Sequence, residues 1–150
     1  MDLILWRHAE AEDSRPDMGR KLTARGVADA ARVAKWLHLH LPPQFTVLAS
    51  PAERTQQTAS ALGVPFRTVP SIAPGASVAK ILGAAGWPNG TATVIVVGHQ
   101  PGLGQAAAHV LCDARDDWDI AKGGLWWFSA SPHNEAGPVL VRAVISPGLV

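Results

Sequence analysis

The sequence predicts an α/β fold with three layers, a sandwich in which helices cover both faces of a mainly parallel central sheet. Strand and helix patterns alternate through the first two thirds of the chain, as expected when helices connect parallel strands. The strands are short apolar runs, typical of a sheet that is covered on both faces. Two runs near the C-terminus, separated by turn residues, predict an antiparallel pair. At 150 residues the chain is expected to form a single domain over residues 1–150.

Composition argues against several classes of protein. Hydrophobic residues make up 47% of the chain and charged residues 17%, which is typical of a globular protein. A net charge of +1 gives no general attraction to nucleic acid or to an anionic membrane, so neither is expected as a partner. No apolar run approaches the roughly 18 residues of a membrane span, and the N-terminal run stops at Trp6 without a cleavage signal. The single cysteine, Cys112, excludes an internal disulfide, and we expect a cytoplasmic protein.

The first predicted strand is followed by a loop and a helix. Residues 3–6 are apolar and predict a short buried strand, whereas the polar residues 10–21 predict a surface loop. Thr23 is the expected N-cap of a helix that ends near Leu39. The β-forming run 45–49 predicts the second strand.

The second predicted strand leads directly into another helix. Ser50 is the expected N-cap of this helix, Pro51 suits its first position, and Glu53 suits the positive end of its dipole. The helix is expected to run to Leu62 and to stop at Gly63. The remaining predicted elements are strand 64–69, helix 77–85, strand 93–97, helix 103–111, and the antiparallel strands 125–130 and 139–145, which a turn at 131–134 separates.

Arginine and histidine side chains follow three of the predicted strands. The first strand ends at Arg7 and His8, the second leads into a helix that carries Arg54, and strand 93–97 ends at Gly98 and His99. Because the carboxyl ends of parallel strands meet at one edge of a sheet, we expect these side chains to surround one electropositive pocket. Guanidinium groups match phosphate oxygens, and a neutral imidazole can accept a phosphoryl group. The sequence therefore predicts a phosphate site.

Four motifs follow one another along the chain. They are Arg7-His8-Ala9, Asp17-x-x-Arg20-x-Leu22-Thr23-x-x-Gly26, Ser50-Pro51-x-x-Arg54-x-x-Gln57-Thr58 and Gly98-His99-x-Pro101-Gly102-Leu103. Together they resemble the histidine phosphatase superfamily, and within it the small phosphohistidine phosphatases of the SixA type. The matching residues lie between positions 3 and 105, whereas the C-terminal third matches only loosely. The resemblance implies a phosphoglycerate mutase-like fold.

The resemblance also implies a role for each residue of the predicted pocket. His8 is the catalytic nucleophile that becomes transiently phosphorylated, and Arg7, Arg54 and His99 hold the phosphoryl oxygens. Arg20 is a further phosphate-binding residue. Phosphoryl transfer depends mostly on positioning and charge stabilisation, which fixed cations can supply, so neither a metal nor a cofactor is expected. A phosphate or sulfate anion is the expected occupant of the site.

Two positions depart from the family's usual pattern. The family usually has glycine after the nucleophilic histidine, where this chain has Ala9, and alanine would be strained there only at a positive φ. Many relatives also place a carboxylate between the second arginine and the second histidine, or directly after that histidine. Here residues 55–98 contain no Asp or Glu, and residue 100 is Gln.

The missing carboxylate bears on the expected substrate. An alkoxide leaving group needs a proton from an acid, a contribution of roughly 10² to 10⁴ in rate, whereas imidazole, with a pKa of about 6.5, leaves more readily. The absence therefore favours cleavage of a P–N bond. The short chain also leaves no room for a lid, which suits a protein substrate. Four other carboxylates remain candidate proton donors, although charged residues at these loop and helix-start positions are usually just solvated. They are Glu10, Glu12, Asp13 and Glu53.

Other motifs have simpler structural explanations. Gly102-x-Gly104-x-x-Ala107 resembles a dinucleotide-binding fingerprint, but His99-Gln100-Pro101 separates it from the strand. Cys112 has no arginine six residues later, so we expect a buried spectator and not a cysteine phosphatase. Adjacent tryptophans on a strand should place one ring in the core and one outward, where it would either pack or contact a partner. These tryptophans are Trp126 and Trp127. A turn is expected at Lys122. Structural or surface positions are expected for the remaining histidines, His38, His40, His109 and His133.

The sequence thus favours a phosphohistidine phosphatase that acts on a phosphorelay or phosphotransfer protein through a phosphorylated His8. Two alternatives stay open. One is a phosphatase of small phosphomonoesters, which the same four residues would serve. The other is a non-catalytic module that binds phosphate groups without turning them over.

Overall fold

The computed structural model of the chain describes residues 1–131 and 137–150, and in those ranges one sheet of six strands lies between helices. The strands are β1 (Asp2–Arg7), β2 (Phe45–Ala49), β3 (Arg67–Thr68), β4 (Thr93–Gly98), β5 (Leu125–Ser129) and β6 (Leu140–Ile145). The helices are α1 (Ala24–His40), α2 (Glu53–Ser60), α3 (Val78–Ala85) and α4 (Gly102–Cys112), and the 3₁₀ turns are Asp17–Gly19, Pro70–Ile72 and Pro147–Leu149. The predicted α/β class and a mixed sheet are confirmed, whereas most of the predicted turn 131–134, with His133, lies outside the described residues.

The first strand lies near the middle of the sheet. The strand order is β3-β2-β4-β1-β5-β6. β1 and β2 both pair in parallel with β4, whereas β5 pairs antiparallel with β1 and with β6, as predicted for the C-terminal strands. Because β1, β2 and β4 run in the same direction, the residues that follow them meet at one edge of the sheet.

Alternate side chains of β1 enter two separate hydrophobic cores. Leu3 and Leu5 are fully buried in a core beside α3 and α4, whereas Ile4 and Trp6 are fully buried in a core beside α1 and α2. This alternation is the period of a strand that is covered on both faces. Full burial of such side chains stabilises the fold by roughly 1.5 to 3 kcal/mol each, so the strand that precedes Arg7 and His8 is firmly held.

Helix ends follow the predicted signals except at α2. Thr23 Oγ1 accepts a hydrogen bond from the Gly26 N–H group at 3.0 Å, and α1 ends at His40, one residue beyond the predicted end. The predicted N-cap of the second helix, Ser50, is wrong, because α2 begins at Glu53 and its N-cap is Ala52. The Ser50 hydroxyl instead lies 2.7 Å from Nε2 of His99.

Three smaller expectations also need correction. β3 comprises only Arg67–Thr68, shorter than the predicted 64–69, because it pairs with the last two residues of β2 alone. Cys112 is exposed at the end of α4 and not buried. Neither adjacent tryptophan ring points freely outward, because helices and loops cover both faces: Trp127 is buried, and Trp126 packs against Trp118 with ring centroids 5.6 Å apart.

The glycines that resemble a dinucleotide fingerprint have a packing role. A Cβ atom on Gly104 would overlap the carbonyl oxygen of Trp118, and one on Gly102 would lie 2.7 Å from the carbonyl oxygen of Ala76. Glycine at these positions lets α4 contact two loops closely. Within the described ranges, no helix is both long and apolar enough to cross a membrane.

Candidate active site

The carboxyl edge of the sheet brings together His8, Arg54 and His99. The Nε–H group of Arg54 donates to Nε2 of His8 at 3.3 Å, and Nη2 of the same arginine lies 3.3 Å from Nδ1 of His99. The two imidazole ring centroids are 5.3 Å apart. Arg54 is only 4% exposed. A buried guanidinium group therefore contacts both imidazole rings, which the sequence predicted to lie in one pocket.

Hydrogen bonds to three other parts of the chain fix the backbone at His8 and Ala9. The His8 N–H group donates to the Gly98 carbonyl at 3.1 Å, and the Gly123 N–H group donates to the His8 carbonyl at 3.1 Å. The next N–H group, on Ala9, donates to Thr58 Oγ1 of α2 at 3.1 Å. Ala9 is fully buried, and the positive-φ residues of the described ranges do not include it, so the family's glycine is not required here.

Hydrogen bonding determines which nitrogen of His8 is free to react. Nδ1 lies 2.8 Å from the Ala9 carbonyl oxygen, and a carbonyl only accepts hydrogen bonds, so Nδ1 carries the proton. Nε2 therefore keeps its lone pair and accepts from Arg54. The nitrogen that faces the guanidinium is therefore the unprotonated one.

The tautomer of His99 follows from the same reasoning. Arg54 has no acceptor, so Nδ1 of His99 accepts from its Nη2 group, and the proton of the imidazole lies on Nε2. Nε2–H then donates to Ser50 Oγ at 2.7 Å. Ser50 therefore orients His99, a role that its position before a helix did not reveal.

Burial and neighbouring charge keep both imidazoles neutral. Desolvation lowers the pKa of His8 to about 4; the Ala9 hydrogen bond opposes the decrease, whereas the charges of Arg54, Arg7 and Arg20 add to it. Desolvation also lowers the pKa of His99 to about 3, with further contributions from Arg54 and His8. At neutral pH, the His8 imidazole is therefore uncharged.

Arg7 directly precedes His8 and has one buried N–H group without a hydrogen-bond partner among residues 1–131 and 137–150. Its Nη1 group donates to the Ile120 carbonyl at 2.5 Å and to Asp119 Oδ1 at 3.0 Å. Its Nε atom is buried and has no hydrogen-bond partner in the described part of the chain. A buried unpaired N–H group costs about 1 to 3 kcal/mol, which an anion bound at this point would recover.

The loop that follows β1 reaches the site through Asp17. Arg54 donates from Nη1 to the Asp17 carbonyl at 2.8 Å and from Nη2 to Asp17 Oδ2 at 3.2 Å. Arg20 donates to Asp17 Oδ1 at 3.3 Å and to the Glu12 carbonyl at 2.7 Å. Arg20 thus contacts the site by way of Asp17.

Two carboxylates therefore contact Arg54 and Arg7, although neither lies between Arg54 and His99 in the sequence or directly after His99. Asp17 belongs to the second motif, where its spacing to Arg20 is the only signal. Asp119 lies in the loosely matching C-terminal third, and no motif marks it. One candidate donor from the sequence, Glu10, is engaged elsewhere, because its Oε1 atom accepts from Thr23 Oγ1 at 2.9 Å.

Gln100 secures the segment that carries Asp119. Its side-chain Nε2 group donates to the Trp118 carbonyl at 2.7 Å, and its Oε1 atom accepts from the Gly104 N–H group at 2.9 Å. The amide that replaces the family's carboxylate thus ties the start of α4 to the rim of the pocket. Over residues 1–131 and 137–150, His, Cys, Asp and Glu side chains form no group of three that could hold a metal ion.

Comparison with known proteins finds a matching family model and matching solved structures. The sequence model of the histidine phosphatase superfamily (branch 1) matches residues 3–74. The protein histidine phosphatase SixA complexed with tungstate has a TM-score of 0.83 and 25% identity over 99% of both chains. A proposed phosphohistidine phosphatase SixA from Nakamurella multipartitia has a TM-score of 0.76 and 28% identity, over 97% of this chain and 95% of that one.

More distant structures share the fold. A phosphoserine phosphatase from Entamoeba histolytica, in complex with 3-phosphoglyceric acid, has a TM-score of 0.70 and 16% identity over 97% of this chain and 96% of that one. No curated protein sequence matches the chain significantly. A sequence model of the histidine phosphatase superfamily thus matches from β1 to the segment before α3, and the fold of a SixA phosphatase matches over nearly the whole length, so the chain is similar to this superfamily in both sequence and fold.

Proposed function

We propose that this chain is a phosphohistidine phosphatase that removes the phosphoryl group from a histidine of a phosphorelay or phosphotransfer protein. The observation that carries the proposal is the arrangement of His8, whose protonated Nδ1 is bound to a carbonyl and whose free Nε2 faces the buried guanidinium of Arg54. A neutral, oriented imidazole beside fixed cations is what phosphoryl transfer to histidine requires.

The first step is an in-line attack of His8 Nε2 on the phosphorus atom. The new N–P bond forms as the P–N bond of the substrate breaks, and water later hydrolyses the phosphorylated enzyme. Arg54 lies beside the attacking nitrogen, and the buried Nε–H group of Arg7 is available to a phosphoryl oxygen. Such preorganised donors stabilise the charge that moves onto the oxygens in the transition state. The assignment of Arg7, Arg54 and His99 to the phosphoryl group is part of the proposal.

Three observations support phosphohistidine as the substrate. Residues 55–98 contain no carboxylate that would protonate an alkoxide, and Gln100 uses its amide to hold the pocket rim. Among the matching structures, the SixA protein binds tungstate and is named a protein histidine phosphatase. We further propose that residues 1–150 act as one histidine phosphatase domain in the cytoplasm.

A second candidate is a phosphatase of small phosphomonoesters. The observation that favours it is the presence of Asp119 beside Arg7, since a carboxylate in the pocket offers a route for a leaving-group proton. The fold is also shared with a phosphoserine phosphatase. Turnover of a phosphohistidine protein compared with turnover of phosphoserine and sugar phosphates separates the two candidates, and faster monoester turnover would reject our proposal.

The test of the proposed function is direct detection of the intermediate. A histidine phosphotransfer protein phosphorylated with ³²P is mixed with the enzyme and quenched in alkali within milliseconds. We expect an acid-labile, alkali-stable phosphoenzyme in the wild type and in the control His109→Asn, whose side chain lies outside the site. His8→Ala should form none. If the wild type binds phosphate but yields neither phosphoenzyme nor free phosphate from any substrate, the chain is a binding module.

A further inference from the structure

The carboxylate of Asp17 contacts the same guanidinium group, that of Arg54, that contacts both histidines of the candidate site. Its Oδ2 atom accepts from Arg54 Nη2 at 3.2 Å, and that nitrogen lies 3.3 Å from His99 Nδ1. The Nε group of the same arginine lies 3.3 Å from His8 Nε2. The side chain of Asp17 is 58% exposed, whereas that of Arg54 is 5% exposed. Asp17 is thus in contact both with solvent and with the innermost cation of the site.

Two arginines fix this carboxylate from opposite sides. Arg54 binds Oδ2 and the main-chain carbonyl, whereas Arg20 binds Oδ1 and anchors itself on the Glu12 carbonyl. A side chain held by both oxygens is pre-oriented, so it needs little reorganisation when a reaction takes place beside it. The short 3₁₀ turn Asp17–Gly19 adds a backbone constraint at the same point.

We propose that Asp17 is the general base of the second step, accepting the proton of the water molecule that attacks phosphorylated His8. The inference rests on the function proposed above and assigns one of its two half-reactions to a named residue. Water reaches the pocket from the exposed side of Asp17, and the phosphoryl group on Nε2 would lie on the Arg54 side.

The bonds and protons of both steps balance. In the first step the substrate P–N bond breaks, and its electron pair stays on the departing imidazole, which leaves neutral when its other ring nitrogen already carries a proton. In the second step the water oxygen forms a bond to phosphorus, the P–Nε2 bond breaks, and its electron pair returns to His8. The water proton passes to the Asp17 carboxylate and then to solvent. The net reaction consumes one water molecule and releases phosphate.

The ionisation state of Asp17 suits this role. Desolvation would raise the pKa of this carboxyl group, but the hydrogen bonds and charges of Arg20 and Arg54 outweigh it and lower the pKa below its ordinary value. At neutral pH the group is therefore ionised, able to accept a proton but without one to give to an alkoxide.

The test compares Asp17→Asn with Asp17→Ala in full-length enzyme. Asparagine keeps an oxygen that accepts from Arg54 but takes no proton, whereas alanine removes both functions. We expect the Asn variant to form phosphoenzyme at the wild-type rate from a ³²P-labelled phosphotransfer protein and to hydrolyse it about 10² to 10⁴ times more slowly, so that the intermediate accumulates. Asp116→Asn, which removes an exposed carboxylate, is the matched control and should change neither rate.

The outcomes separate this inference from the function on which it rests. If Asp17→Asn hydrolyses its phosphoenzyme as fast as the wild type, Asp17 is not the base, although the phosphatase proposal stands. If formation and hydrolysis slow equally in the Asn variant, Asp17 only positions Arg54, and the inference also fails. A wild type that forms no phosphoenzyme overturns the proposed function itself. Accumulation confined to the two Asp17 variants, with normal formation in Asp17→Asn, supports the inference.

Discussion

Arg54 donates from Nε to Nε2 of His8 at 3.3 Å while the same guanidinium contacts His99 and Asp17. One buried cation thus connects the proposed nucleophile, the second histidine and the carboxylate of the β1–α1 loop. Such a contact keeps Nε2 of His8 unprotonated and its lone pair directed at Arg54. The geometry makes Arg54 the most informative residue to substitute after His8.

Replacing Arg54 with lysine should impair catalysis although the positive charge is kept. Lysine presents a single ammonium group and cannot contact His8, His99 and Asp17 at once with a planar fork. We expect kcat/KM for a phosphohistidine protein to decrease on the order of 10² to 10³-fold, as for loss of a preorganised donor. Arg25→Lys is the matched control, because the Arg25 side chain is 78% exposed and pairs only weakly with Asp29. Equal activity of the two variants would contradict the assigned role.

Activity should persist to unusually low pH. An unperturbed histidine becomes protonated, and loses its nucleophilic lone pair, below about pH 6.5. Because burial lowers the pKa of His8 to about 4, we expect the rate of phosphoenzyme formation to stay near its plateau from pH 7 to pH 5 and to decrease only near pH 4. Stopped-flow or quenched-flow measurements across this range provide the test. An acidic limb centred near pH 6.5 would show that His8 is not desolvated.

The same two histidines should make the fold acid-sensitive. In the folded chain the pKa of His8 is about 4 and that of His99 is about 3, whereas each is about 6.5 in the unfolded chain. Between these pKa values the unfolded state binds more protons than the folded state. The contribution of the two histidines to the free energy of unfolding is therefore fully present above pH 6.5 and is lost as the pH falls toward 4 and then 3.

Urea unfolding at pH 7, 5.5 and 4.5 measures this effect. The double variant His8→Asn/His99→Asn should lose less stability between pH 7 and pH 4.5 than the wild type, by about 1 kcal/mol or more, since each pKa unit corresponds to about 1.4 kcal/mol. Carboxylates that titrate in the same range are present in both proteins, so the difference isolates the two histidines. Parallel pH dependences would contradict the prediction.

Replacing Gln100 with glutamate should weaken the rim of the site. Glutamate keeps the acceptor for the Gly104 N–H group but loses the donor that binds the Trp118 carbonyl at 2.7 Å, and it adds a negative charge near Asp119. We expect a loss of about 1 to 3 kcal/mol in the free energy of unfolding and weaker binding of inorganic phosphate, because the same segment contacts Arg7.

The matched control is Gln105→Glu, in the first turn of α4. Its side chain donates to Asp117 at the surface, at 2.6 Å, and exposed substitutions usually change stability by less than about 0.5 kcal/mol. Denaturant titration and calorimetry with phosphate measure both quantities. If the two variants lose stability equally, Gln100 does not secure the rim.

Much of the fold and the centre of the site could be predicted because they follow local rules. Short apolar runs identified β1, β2 and β4, and parallel pairing then required His8, Arg54 and His99 to meet at one edge. These predictions depend on strand direction alone and not on side-chain detail. The geometry therefore places the three residues together as expected.

Contacts that depend on distant segments could not be predicted in the same way. Asp119 approaches Arg7 from a charged loop without a motif, and Gln100 holds that loop through a main-chain carbonyl. Ser50 stands where a helix cap is expected, yet the same hydroxyl group accepts equally well from His99. One residue type serves both purposes, so only the tertiary arrangement decides between them.

The central position of β1 has a consequence for how the site assembles. The strand that ends at Arg7, directly before His8, is made first but pairs with β4 and β5, which come from the middle and the last third of the chain. His8 also needs the backbone of Gly98 and Gly123 on either side. Closing such long loops is costly, and it precedes the contacts that stabilise the fold. During synthesis, the proposed nucleophile therefore stays without its environment until β5 has emerged, and a chain released before that point cannot act as a phosphatase.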